Sequence, residues 1–194
     1  MNDFLARTQE GAAALRRAVS DISAQPQLIA SVREDPAVGA GILAGVIAQV
    51  EKARTLTRPS ALGVAALTAN HAAYAWSLYR RGARNDALGW GLRAAAWGAG
   101  VAATRSQPTS AAVAVGGAVL ATSALAGDPV LRTDAGKGMS HGANVLVAAE
   151  ALTALRAALK QRKHKARLVC TAETGALVIG HLLLIDGLSR TRAR

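Results

Sequence analysis

With a single cysteine, Cys170, the chain has no internal disulfide, no CxxC redox pair and no cysteine-built zinc site. Only six of the 194 residues are aromatic, so any core must be filled mainly by small side chains with leucine and valine. The five prolines, at positions 26, 36, 59, 108 and 129, punctuate the apolar runs and interrupt none of them. Also missing are the motifs that announce common chemistries. The segment Gly136-Lys137-Gly138-Met139-Ser140 lacks the G-x-x-x-x-G-K-[ST] spacing of a phosphate loop. There is no zinc-protease helix and no G-x-S-x-G nucleophile elbow, and no metal centre is expected. The N-terminus has an acidic residue at position 3 and no early apolar core, so no cleavable signal peptide is expected.

Acidic residues are few: 12 against 23 lysines and arginines, a net charge of +11 and a pI near 11.2. Such an excess suits either nucleic acid or an anionic membrane surface. The basic residues sit in short tracts between apolar runs, without a recognition helix, finger or aromatic RNA-binding signature. That distribution favours anionic headgroups and disfavours nucleic acid as a partner.

What the sequence does have is 46 alanines and 19 glycines, residues that let helix backbones approach closely. The predicted fold is all-α: a bundle of five or six Ala/Gly-rich helices, membrane-embedded and preceded by an amphipathic N-terminal helix. Residues 1–36 form that helix (3–23) and a linker, 37–188 the bundle and 189–194 a basic tail. Within the bundle, the apolar run 37–50 is short for a span, and 61–79 carries Asn70, His71, Tyr74 and Ser77 within one arc that should face inward. On 86–104, Asp86, Trp90, Arg93 and Trp97 share a face. The run 111–127, with small-xxx-small spacing, should be the most enclosed helix. Residues 139–158 and 168–188 read as a helical hairpin whose tip, 160–167, holds five lysines and arginines in eight positions. A mean hydropathy of +0.21 is low for a chain mostly in lipid, so a soluble or peripheral helical oligomer is the alternative environment.

Two groups of side chains carry candidate chemistry. His71, Tyr74, Trp90, Arg93, Trp97 and His181 are candidate cofactor- or ligand-binding residues. His71 and His181 fall near the middles of their helices and, if those helices are neighbours, meet at similar depth, as a bis-histidine haem would require; the plainer role is a hydrogen bond to a neighbouring helix. Arg93, one turn from each of two indoles, fits either an anionic headgroup or an interfacial anchor. Asp128, Asp134, His141 and Glu150 are candidate catalytic groups, carboxylates and a base able to activate water.

The break Arg54-Thr55-Leu56-Thr57-Arg58-Pro59 ahead of a helix, together with Gly127-Asp128 at a helix end, resembles two short motifs of the membrane lysoplasmalogenase family. The likeness is confined to these motifs, which lie about 70 residues apart. It implies a lipid-modifying membrane hydrolase as the second reading. The first is a non-catalytic helical protein of the cell membrane: a scaffold or subunit enclosing an apolar lipid or isoprenoid quinone, in contact with anionic headgroups and assembled as a homo-oligomer or within a complex. Sequence alone does not decide whether the protein is an enzyme, nor name its cofactor.

Overall fold

A computed structural model describes residues 33–54, 60–103, 109–134, 136, 138–158 and 163–191. The amphipathic helix predicted over 3–23 and the end of the basic tail lie outside the described residues. Six α-helices follow one another: α1 (Pro36–Arg54), α2 (Ala61–Arg80), α3 (Ala87–Ala103), α4 (Thr109–Ala126), α5 (Met139–Ala158) and α6 (Lys163–Arg190). One turn of 3-10 helix, Pro129–Leu131, bends the α4–α5 connection. Among the described residues there is no strand.

The helices start where short polar side chains cap them. Asp35 accepts from Ala37 N at 3.2 Å, Ser60 from Gly63 N at 2.9 Å and Asp86 from Gly89 N at 2.6 Å. α2 ends as Arg80-Arg81-Gly82 predicts, with Gly82 at φ 95°, a conformation that a Cβ would penalise. Two boundaries differ from the sequence reading. α1 runs four residues beyond the apolar stretch, because Glu51 and Lys52 find polar partners and need not end it. α6 begins at Lys163, so residues 163–167 of the tract expected as the hairpin tip are helical, and the rest of that tract lies outside the described residues.

Successive helices alternate in direction. Close backbone contact joins α1 to α2, α2 to α4, α3 to α4, α4 to α5 and α5 to α6. α6 then returns to α1 and α2 through side chains, closing a ring of five helices with α3 packed outside, on α4. The apolar core of this ring includes Val38, Leu78, Leu125, Met139, Leu146, Leu184 and Leu188. Small residues set the helix spacing: a Cβ at Gly142 would meet Leu184 N at 2.7 Å and Gly180 O at 2.8 Å, both backbone atoms. α4 is only partly enclosed as predicted. Thr122 to Ala126 are buried, whereas Val113 and Ala114 near its start are exposed.

Alternation puts the start of α1, the end of α2, the start of α3, the end of α4, the start of α5 and the end of α6 at one end of the bundle, which we call the near end; the opposite helix termini lie at the far end. Lys52 of α1 lies level with Glu173 of α6, and α1 ends two residues later. Residues 163–170 of α6 therefore overhang the far end. By length and composition, Ala172–Arg190 is apolar enough to cross a membrane, and Val113–Ala126 is a shorter apolar stretch.

Candidate functional site

Where α6 faces α1 and α2, the gap is bridged by polar side chains in three layers. At the near end Arg81 is almost fully buried. Its Nη1 lies 2.5 Å from Asp35 Oδ2 and also meets Ser77, whose hydroxyl donates to the same carboxylate oxygen at 2.6 Å. Nη2 donates to Leu188 O at 2.9 Å and Nε to Thr191 O at 2.8 Å. One guanidinium thus joins the α1 N-cap to carbonyls at the C-terminus of α6, where the helix dipole favours a cation. Burial acts to raise the Asp35 carboxyl, but the bonds from Ser77 and Arg81 outweigh it and hold the group below its ordinary range.

The middle layer brings three of the predicted residues together. His71, Tyr74 and His181 form a triangle of rings with centroids 6.4 Å (His71–Tyr74), 6.4 Å (His71–His181) and 6.0 Å (Tyr74–His181) apart. Asn70 sits beside it, donating to Gly41 O at 2.6 Å. His181 places Nδ1 2.9 Å from Leu177 O and Nε2 3.4 Å from Asn70 Oδ1. His71 is 1% exposed, and neither ring nitrogen has a hydrogen-bond partner in the structure. As packed, the three rings fill the space between one another, so a flat macrocycle would have to displace Tyr74. All four members of the predicted inward stripe, Asn70, His71, Tyr74 and Ser77, are buried.

At the far end Lys52 closes the seam. Its Nζ lies 2.5 Å from Glu173 Oε1, 3.9 Å from Glu150 Oε1 and 2.7 Å from Thr153 Oγ1. Of the seam's charged members, only Glu150 stands among the sequence-derived candidates; Lys52, Arg81 and Asp35, each near a helix end, do not. Arg81 and Lys52 have partners on α6 more than a hundred residues away, and Asp35 has Ser77 and Arg81 more than forty away, so no local pattern points to them.

The remaining candidates are dispersed. Asp128 sits at the near end and accepts from Arg84 N at 2.6 Å, from Asn85 N and from Val130 N at 2.8 Å. Burial acts to raise its carboxyl, and these three backbone donors, aided by Arg132, bring it below the ordinary carboxylate range. It latches two connections together. Asp134 and His141 are exposed at that end, whereas Glu150 belongs to the Lys52 layer at the opposite end. The four candidate catalytic groups therefore share no centre. The indole-flanked arginine is rearranged as well: Arg93 reaches Ser123 Oγ at 3.4 Å and Gly89 O at 3.0 Å, Trp97 lies against Gly116, and Trp90 donates to Arg84 O at 2.9 Å. The arginine lying on an aromatic face is Arg84, 3.7 Å above the centre of the Tyr79 ring. Tyr79 is in turn stacked on Trp76 at 5.8 Å and 17°.

Outside the seam lies an open apolar cleft of about 500 Å³ between the parallel helices α2 and α4, lined by Ala72, Ala75, Trp76, Tyr79, Gly117, Ala118, Ala121 and Leu125. No protein-family model, curated protein or solved structure matches the chain.

Proposed function

We propose that the protein is a non-catalytic, membrane-embedded helical bundle, a scaffold or subunit that holds lipid against its intramembrane surface. The observation that carries this reading is the reversed distribution of polarity. Charged and polar groups lie inside, with Asp35 2%, His71 1%, Arg81 6% and Glu173 3% exposed. Large apolar side chains lie outside, with Leu43 63%, Leu88 70%, Leu92 64% and Val178 53% exposed. On α1 the exposed Leu43, Val46, Ile47 and Val50 form a continuous stripe at helical spacing. Water penalises such a surface and lipid does not, while buried polar groups are tolerated in lipid when they pair with one another.

Helix length supports the same reading. α1 to α5 have 17 to 20 residues, about 25 to 30 Å at 1.5 Å per residue, against a hydrocarbon core of about 30 Å. α6, with 28 residues, exceeds that length by its basic overhang. Alanine explains why hydropathy alone singles out one helix: it is only weakly apolar, yet it packs helices closely. The dispersal of Asp128, Asp134, His141 and Glu150 favours the non-catalytic reading over a hydrolase. In a test by fractionation, the protein stays with the membranes through a high-salt wash and leaves only with detergent. Release by salt alone would overturn membrane embedding.

A further inference from the structure

We propose that the cleft between α2 and α4 is a binding site for one acyl chain of an anionic glycerophospholipid, whose headgroup is held by Arg84. This inference rests on the membrane reading above and adds the partner.

The cleft has the depth of one leaflet. It runs along α2 from Tyr79, next to the near end, to Ala72, and along α4 from Leu125 to Gly117. Seven and eight residues of helix are about 10 to 12 Å, and half a hydrocarbon core is about 15 Å. Its walls are small and apolar toward the middle of the bundle and aromatic toward the end. A straight chain fits such a shape, and a bulky side chain from a partner helix would be stopped by the stacked rings of Trp76 and Tyr79.

The charge stands where the headgroup must lie. Arg84 follows α2 by four residues and has its guanidinium carbon 3.7 Å from the centre of the Tyr79 ring, so Trp76, Tyr79 and Arg84 lead in turn from the apolar wall to the polar end. Two carbonyls, Tyr79 O at 2.9 Å and Ala83 O at 2.8 Å, hold Nη1. That fixes the plane of the guanidinium and leaves Nη2 and Nε for an incoming phosphate oxygen, a geometry arginine suits better than lysine. The nearby Asp128 carboxylate is taken up by backbone N–H groups, including that of Arg84 itself. Arg80, at the same level, has its Nη1 3.9 Å from Asp35 Oδ1 and is counted with that carboxylate, so the headgroup charge rests on Arg84, and Trp90, 40% exposed, stands at the interfacial level.

The experiment uses the full chain, purified in detergent and delipidated, titrated with dioleoylphosphatidylglycerol and followed by native mass spectrometry and tryptophan fluorescence. Dioleoylphosphatidylcholine and soluble glycerol phosphate serve as controls. Saturable 1:1 binding of the anionic lipid is expected, about fivefold to tenfold weaker in Arg84→Gln. Ala72→Leu, which fills the cleft from an exposed position, abolishes it, with helicity by circular dichroism unchanged in both variants. Glycerol phosphate alone binds far more weakly, because the chain supplies the burial. Equal retention of the two lipids, or Arg84→Gln binding like the parent, overturns the proposal. So does a lipid-free dimer that Ala72→Leu dissociates, since the cleft would then be a protein interface. A protein that resists the salt wash yet binds no anionic lipid loses this inference alone; one released by salt loses the membrane reading with it.

Discussion

His181 Nε2 stands 3.4 Å from Asn70 Oδ1 across the α2–α6 gap, and the bond from Asn70 Nδ2 to Gly41 O at 2.6 Å fixes which way the amide faces. The other ring nitrogen of His181 faces a second acceptor, Leu177 O at 2.9 Å, and a neutral imidazole carries one N–H, so it is the tautomer protonated on Nε2 that donates to Asn70 and links α6 to α2, and through Asn70 to α1. Across the gap between α6 and the α1–α2 pair, the middle of the ring is spanned by these side chains, whereas α1 and α2 are also in close backbone contact. Asn70→Leu is therefore expected to cost about 1–3 kcal/mol, the range for stranding a buried polar partner. In the double variant Asn70→Leu/His181→Leu the two losses should fall short of their sum, as unfolding in detergent would show. Strict additivity would mean that the two side chains do not interact.

Backbone approach makes a sharper prediction at Gly142. An added methyl would press on Leu184 N and Gly180 O, which belong to a helix and cannot rotate away. Gly142→Ala should separate α5 from α6 at a cost of about 1–3 kcal/mol. At Gly175, where a Cβ would meet nothing within 4 Å, the same substitution should be neutral or slightly stabilising. Equal thermal midpoints for the two variants would refute the close packing of α5 on α6.

The pH dependence follows from two carboxylates. Asp35 and Asp128 both have folded-state values lowered from the ordinary one. Each then contributes stability that is fully present above the unfolded value, about 3.9, and is lost as pH falls through the folded one. Thermal midpoints in detergent should be flat from about pH 7 to 5 and fall below about 4. Asp128→Asn should lower the plateau and flatten the acid limb. An unchanged acid limb in that variant would remove Asp128 from the account.

How much of this was legible in the sequence depends on the range of the interaction. Helix bounds were readable to within a few residues wherever Ser60, Asp86 or Arg81-Gly82 supplied a local cap, and the inward arc of Asn70, His71, Tyr74 and Ser77 followed from helical periodicity. The likelihood that two mid-helix histidines would meet depended on which helices are neighbours, and periodicity says nothing of that. Arg84 was missed for a related reason. As part of a polar connection it has no period, and the turn through Gly82, at φ 95°, lies between Tyr79 and Arg84 and lets the chain double back so that the two meet. The ends of α1 and α6 were misjudged because charge was taken to stop a helix. Lysine, arginine and glutamate are good helix formers whether solvated or paired, and Lys52 is in addition paired with Glu173 on α6.

That Lys52 layer yields the last prediction. Lys52 Nζ is the cation between two carboxylates of the far end, 2.5 Å from Glu173 and 3.9 Å from Glu150, and Glu173 has only 4% of its side chain exposed. Replacing one partner of a buried ion pair costs about 3–5 kcal/mol, because the other is left charged in a poorly solvated site. Lys52→Met should therefore be destabilising, since it removes the cation 2.5 Å from Glu173, a carboxylate that also accepts from Thr153 Oγ1 at 2.9 Å, and removes the donor to Thr153 Oγ1. Glu150→Gln, by contrast, removes only the more distant carboxylate and should cost less than about 1 kcal/mol. The decisive variant is Lys52→Met/Glu173→Leu. An apolar pair of similar volume makes neither charge nor stranded partner, so it should recover most of the stability lost in Lys52→Met. Thermal unfolding of the three variants in one detergent gives the comparison. A double variant as unstable as Lys52→Met would mean that the loss came from packing of the lysine stem rather than from removal of the cation beside Glu173, and the ion pair would no longer explain how α6 is tied to α1 at this end.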